Sequence, residues 1–245
     1  MSVQREIEAL CSIVLESVPT GSAIRLSFIK AAPRVQRRVA GAETSELLIE
    51  AARELRASSG MPFWHALFLT GERTTEGVPS DILRSAMYHQ DPTQTETIEL
   101  VVSPATAKTL SELADDVQGR DAFALLSRVT LPSGEDRFIP MLDFTSKSTR
   151  PGSEPTVRAA VEVLDTPGTL FASARSYHFY GRALVSQAEQ LAFWARALLL
   201  TPIVDERWIA HQMRSQTGAL RISPNEKGIV PTPLFETVPT DGAQR

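Results

Sequence analysis

Two strand–turn–strand patterns between residues 123 and 184 restrict this chain more than any other feature. Residues 123–131 and 137–144 are apolar, strand-like runs separated by Pro132, Ser133, Gly134, Glu135 and Asp136, a glycine-bearing connection of hairpin type. Residues 169–173 and 177–184 form a second pair, tight at Ala174 to Ser176. Helical patterns surround them. Ile7, Leu10, Cys11, Val14 and Leu15 recur at helical spacing, which predicts an amphipathic helix over 4–17. A second helix is predicted from Thr44, its N-cap, to about Leu55, and a short one over 80–89 with Ser80 as N-cap. Ser103 and Pro104 open another that runs to Leu113. Residues 154–164 are also helical, and Ser186 with Glu189 forms a capping box ahead of a helix to Leu200. Residues 205–213 read as one more helix. Strands are predicted at 23–29, 62–70, 98–102 and 220–223.

Strand pairs interleaved with helices imply an α+β fold: mixed, largely antiparallel sheets with flanking helices. The 245 residues suffice for a sizeable core without staples. We expect a single domain over 1–230, softly divided into an N-terminal module (about 1–118) and a C-terminal module (about 119–230) at a polar stretch around 115–122. From Pro231 three prolines and few core residues predict a flexible tail, 231–245.

Composition removes several classes. Hydrophobic residues at 42% exclude a disordered chain, and the single cysteine, Cys11, excludes an internal disulfide and zinc sites built on paired cysteines. Arg5, Glu6 and Glu8 stand where a signal peptide is apolar, and Arg196 and Pro202 break the longest apolar stretch. A cytoplasmic protein without membrane contact is the expectation. The net charge of −4 gives no long-range attraction to nucleic acid, so any such contact needs a local patch.

Phosphate-loop, dinucleotide-binding, nucleophile-elbow and zinc-protease motifs are missing. Three segments carry chemistry instead. The first is an apolar strand ending in Asp143, followed by Phe144, Thr145, Ser146 and Lys147. A carboxylate at a strand end suits a hard divalent cation, and equally begins a turn. The second is Arg175, Ser176, Tyr177 and His178. Ser176 and His178 share one strand face, and with Arg175 they suit phosphate; a polar strand face with a satisfied histidine reads as well. The third is an apolar stretch ending in Val204 and Asp205, then a short helix and Leu220 to Pro224 containing Arg221. Asp205 reads equally as the N-cap of that helix.

In this order the segments resemble the archaeo-eukaryotic primase superfamily, which includes the primase-polymerases. Its first motif is an apolar strand ending in Asp-x-Asp, its second a small residue, any residue, then His, and its third an apolar run ending in Asp with an arginine strand behind. Asp143-Phe144-Thr145, Ser176-Tyr177-His178 and Val204-Asp205 look like these, with Arg221 in the arginine strand. The resemblance covers about residues 123–227. It implies a primase-polymerase-like fold with an RRM-like core in the C-terminal half. It also implies Asp143, His178 and Asp205 as catalytic residues, with Asp143 and Asp205 holding Mg²⁺ or Mn²⁺. Ser176, His178, Arg175, Arg221 and Lys147 would contact a nucleotide. The second acid of the first motif is here Thr145, so the resemblance is to a single-aspartate variant. Nucleotide or nucleic-acid binding, DNA or RNA, is then expected with weak or no nucleotidyl transfer. The alternative is a non-catalytic subunit that uses the scaffold to bind a partner protein.

Arg25, Lys30, Arg34, Arg37 and Arg38 form a basic run without an acid. It reads as a solvated loop or as a nucleic-acid patch centred on Arg34, Arg37 and Arg38. If it follows a phosphate backbone, replacing those three arginines with alanine lowers the slope of log K against log salt. The drop is about 0.9 per lost contact on duplex DNA, or about 0.7 on single strands. Unchanged affinity and slope in filter-binding titrations would leave the solvated loop.

Overall fold

A computed structural model describes residues 2–29, 43–115, 122–224 and 229–238. Arg34, Arg37 and Arg38 lie outside the described residues. The chain separates into two compact units, one of Met1–Ala31 with Asp91–Arg245 and one of Ala32–Gln90.

The larger unit is built on two antiparallel sheets. The first has the order β2-β1-β3-β4, from β1 (Ala23–Ile29), β2 (Thr97–Val101), β3 (Ala122–Thr130) and β4 (Asp136–Phe138), with β8 (Ala219–Arg221) also on β3. Because β1 pairs with both β2 and β3, the two expected modules share one sheet. The second sheet has the order β5-β7-β6-β9, from β5 (Met141–Asp143), β6 (Gly168–Ser173), β7 (Ser176–Gly181) and β9 (Thr232–Thr237). β5 and β6 are both antiparallel to β7, so they run parallel with β7 between them. Helix α6 (Ser153–Val163) connects them, a split β-α-β unit of the kind the RRM-like expectation requires. The fourth strand of such a unit, β8, pairs instead with β3 of the first sheet.

The expected strand over 137–144 is two strands. Pro140 has no N–H to continue a ladder, so β4 stays with β3 and β5 crosses to β7. Part of the expected tail is a strand, and residues 239–245 lie outside the described residues. Thr232–Thr237 is an edge strand on β6, where Pro233 is tolerated, and the Thr237 hydroxyl donates to Thr166 O at 2.8 Å.

Helix α1 (Val3–Val14) buries Ile7, Leu10, Cys11 and Val14 and packs on α5 (Thr106–Asp115). Alternation along the second sheet sends its side chains into two cores. Met141, Phe171 and Tyr180 join the core containing α1, β1 and β3. Leu142, Leu170, Tyr177 and Phe179 join the other, beneath α6 and α7 (Gln187–Leu198). The capping box on α7 is formed: the Glu189 N–H donates to Ser186 Oγ, and Glu189 Oε2 accepts from the Ser186 N–H at 2.7 Å.

The smaller unit holds α2 (Glu43–Ser59), α3 (Phe63–Glu72) and α4 (Ser80–Ala86). Residues 62–70, expected as a strand, form most of α3. An unbroken apolar run has no diagnostic period. Ala66, Leu67 and Leu69 are good helix formers, and Pro62 stands at the N-cap. Ala66 and Leu67 then meet Leu48, Ile49 and Ala52 of α2. No helix among the described residues is long and apolar enough to cross a membrane.

Trp194 of α7 is 1% exposed, and its indole N–H donates to Met141 O at 3.0 Å, tying the helix to β5. Trp194→Phe leaves that buried carbonyl without its donor. The expected cost in urea denaturation is about 1–3 kcal/mol, with an unchanged denaturant slope.

Candidate functional site

Asp143, His178, Asp205 and Arg221 come together on the face of the second sheet that looks toward β8. Asp143 ends β5 directly opposite His178 of β7, so both side chains stand on one face. His178 Nε2 lies 3.7 Å from Asp143 Oδ1, beyond a hydrogen bond. Beyond β5 the chain runs beside residues 203–205. The Asp205 N–H donates to Asp143 O at 3.0 Å, the Thr145 N–H to Ile203 O at 3.0 Å, and the Thr145 hydroxyl to Val204 O at 3.2 Å. Phe144 and Val204 form a β-bridge. The two acid-bearing segments are thereby locked side by side.

Asp205 is also the N-cap of α8 (Glu206–Ser215); its Oδ1 accepts from the Trp208 N–H at 2.8 Å. The N-cap reading of this residue holds. Arg221, at the end of β8, donates to Ser173 Oγ at 3.2 Å, to Ile229 O at 3.3 Å and to Ser223 O. Its guanidinium is therefore engaged by the protein and spans from one sheet to the other.

Ser176 is half-buried where β7 leaves the hairpin, and Arg175 is exposed in the turn. Ala174 takes φ +57° there. The segment after Asp143 is strapped to this turn: the Ser148 hydroxyl donates to Ala174 O at 2.9 Å and the Ser148 N–H to Arg175 O at 3.1 Å. Lys147 is exposed on the same segment, and its charge is felt at Asp143.

Sequence reasoning missed Ser173, which receives Arg221, and Tyr180. Tyr180 stands two residues beyond His178 on the same face, and a period-two reading from Ser176 through His178 would have reached it. Tyr180 Oη and His178 Nδ1 are buried without a hydrogen-bond partner among the described residues. Phe28 packs on Phe123 with ring centroids 4.8 Å apart, and Arg25 of the basic run pairs with Glu99 at 2.9 Å. Phe63 and Trp64 pack on each other in the smaller unit.

The donor set does not fit the pair of metals that the resemblance implies. Among the described residues no three His, Cys, Asp or Glu side chains are placed to hold a metal ion. Thr145 spends its hydroxyl on Val204 O, and Asp205 spends an oxygen on the helix cap.

Burial, and then the nearby Asp205, pushes the Asp143 carboxyl up to about 8, against the opposing pull of the Phe144 N–H, Lys147 and Arg221. Burial and Arg221 pull His178 down to about 3. Burial also raises Asp205, offset by the Trp208 N–H. At neutral pH Asp143 is thus largely protonated and His178 uncharged, so their contact is not an ion pair.

These shifts act on stability in opposite senses. Between about 3 and its ordinary 6.5, His178 is protonated only in the unfolded chain, so stability rises with pH there. Between its ordinary 3.8 and about 8, Asp143 holds its proton only in the folded chain, so stability falls as pH rises. The two oppose each other up to 6.5, and above it the fall from Asp143 remains. Chemical denaturation is therefore expected to show declining stability from pH 6.5 to 8, with the decline largely abolished by Asp143→Asn. An equal decline in that variant would place its cause elsewhere.

No curated protein and no solved structure matches the chain. Residues 102–234, just over half of it, match the family described as archaeo-eukaryotic primase 1D-like. That span runs from the end of β2 into β9 and contains Asp143, His178, Asp205 and Arg221. The sheets, the order of the three segments and this match agree, and the chain belongs to the archaeo-eukaryotic primase-like family.

Proposed function

We propose that this protein binds the phosphates of a nucleotide or nucleic acid at the Asp143–His178–Asp205 cleft and carries out little or no nucleotidyl transfer. The reading is carried by the make-up of that cleft. Asp143, His178 and Asp205 converge there, one oxygen of each aspartate accepts from a backbone N–H, and the cations around the site outnumber its acids. Arg221 reaches in from β8, while Lys147 and Arg175 stand exposed on segments strapped to each other through Ser148. Three cations stand against the two carboxylates of Asp143 and Asp205, and a phosphoryl anion is favoured. Ser176, half-buried at the same hairpin, supplies a hydroxyl.

The test pairs nucleotide titration by calorimetry with a primer-extension assay on the same protein. Nucleoside triphosphate is expected to bind, with no measurable primer synthesis. A Lys147→Ala/Arg175→Ala variant, altered only at exposed side chains, is expected to bind at least about tenfold more weakly, from the loss of charged hydrogen bonds. Robust Mg²⁺-dependent synthesis that is lost in Asp143→Ala would falsify the weak-transfer part. Absence of nucleotide and nucleic-acid binding under every condition would leave the partner-binding scaffold as the better reading.

A further inference from the structure

The disagreement between the donor set and a two-metal site carries a further step. We infer that the cleft takes its anionic ligand without a protein-held divalent cation, and that Thr145 is the clasp that keeps the two motif segments together. This rests on the phosphate-binding reading above.

Mg²⁺ requires near-octahedral oxygen ligands at about 2.0–2.1 Å, and each acid here already has one oxygen held by a backbone N–H. Asp143 Oδ1 accepts from the Phe144 N–H at 2.9 Å and faces His178 Nε2. Asp205 Oδ1 accepts from the Trp208 N–H at 2.8 Å. The hydroxyl of Thr145 points at a carbonyl oxygen, Val204 O. A hydroxyl can donate to that oxygen, whereas an ionised aspartate has only acceptors to offer it. The residue that removes the metal-binding charge is thus the residue that supplies the hydrogen bond. Together with the Asp205 and Thr145 N–H groups, that bond holds 143–145 against 203–205. Such a joint needs no cation to neutralise it.

The full chain, stripped with chelator, is titrated with Mn²⁺ alone and followed by the Mn²⁺ electron paramagnetic resonance signal. Tripolyphosphate affinity is measured separately in EDTA and in Mn²⁺. No Mn²⁺ site tighter than about 0.1 mM is expected, and tripolyphosphate affinity is expected to agree within about twofold between the two conditions. Thr145→Ser, which keeps the donor, is expected to match the unmodified protein in thermal unfolding. Thr145→Val, which keeps the shape without the donor, is expected to lower the Tm by about 2–4 °C, with no recovery in Mn²⁺. A tight Mn²⁺ site lost in Asp143→Asn, or tripolyphosphate binding abolished by EDTA, overturns the metal-free site. A Thr145→Val protein as stable as Thr145→Ser overturns the clasp. Failure of tripolyphosphate to bind in either condition overturns the phosphate reading itself, and the Mn²⁺ titration separates that failure from a failure of metal exclusion.

Discussion

The hydrogen bond from the Asp205 N–H to Asp143 O determines where everything else in the cleft can be. It joins the end of β5 to the start of α8, two segments far apart in sequence, and neighbouring bonds leave no freedom of register. Phe144 and Val204 then fall opposite each other and bury their side chains in the core under α6 and α7. The alternation that sends Phe144 inward sends Asp143 and Thr145 to the other face. A backbone pairing and an apolar residue thus aim the polar ones, without any requirement that the carboxylates attract a ligand.

The second sheet obeys the same logic across its width. One face is apolar throughout, and its Tyr177 and Phe179 meet Phe193 and Trp194. The opposite face grades from apolar to polar along β7, from Tyr180 through His178 to Ser176. Tyr180 is sunk in the core beside α1, and Ser176 reaches the rim. Burial therefore rises along a single strand, and with it the cost of charge. This accounts for an uncharged His178 directly opposite a protonated Asp143: the low-polarity surroundings disfavour the charged form of each, and Arg221 adds to the effect on the histidine. Arg221 retains its charge by spreading donors over Ser173 Oγ and two carbonyl oxygens.

Much of this was legible in the residues because it is local. Hairpins announced by Gly134 and by the turn at Ala174, the capping box of Ser186 and Glu189, and the helix periodicity of α1 depend on neighbours within a few positions. So did the shared face of Ser176 and His178. Features that depend on distant partners were not legible. The run 62–70 had to be a helix because its apolar side chains meet α2, and the prolines near the C-terminus do not disclose that β6 has an edge awaiting Thr232–Thr237. Pro140 marked a break, but its consequence, a strand transferred to another sheet, lies in the pairing of β5 with β7. In the cleft, Thr145 was readable as a lost charge. Its gained hydrogen bond was not, because the acceptor, Val204 O, is 59 residues away. Ser173 was equally hidden, as its partner Arg221 is 48 residues off.

The Thr145 hydroxyl helps two acid-bearing segments lie side by side in this scaffold. Carboxylates gathered to hold cations repel one another when the cations are absent, and each is costly to bury. Two acids already stand in this cleft, and Asp205 raises the cost of ionising Asp143. A third at position 145 would add repulsion and would also set an acceptor against Val204 O. Threonine removes the repulsion and satisfies the carbonyl in one step. Stability and metal-dependent catalysis thus pull in opposite directions at this position, the general tension between a strained site and a stable fold. Backbone pairing and core packing hold the Asp143 and Asp205 segments in place, and neither requires a charge at position 145.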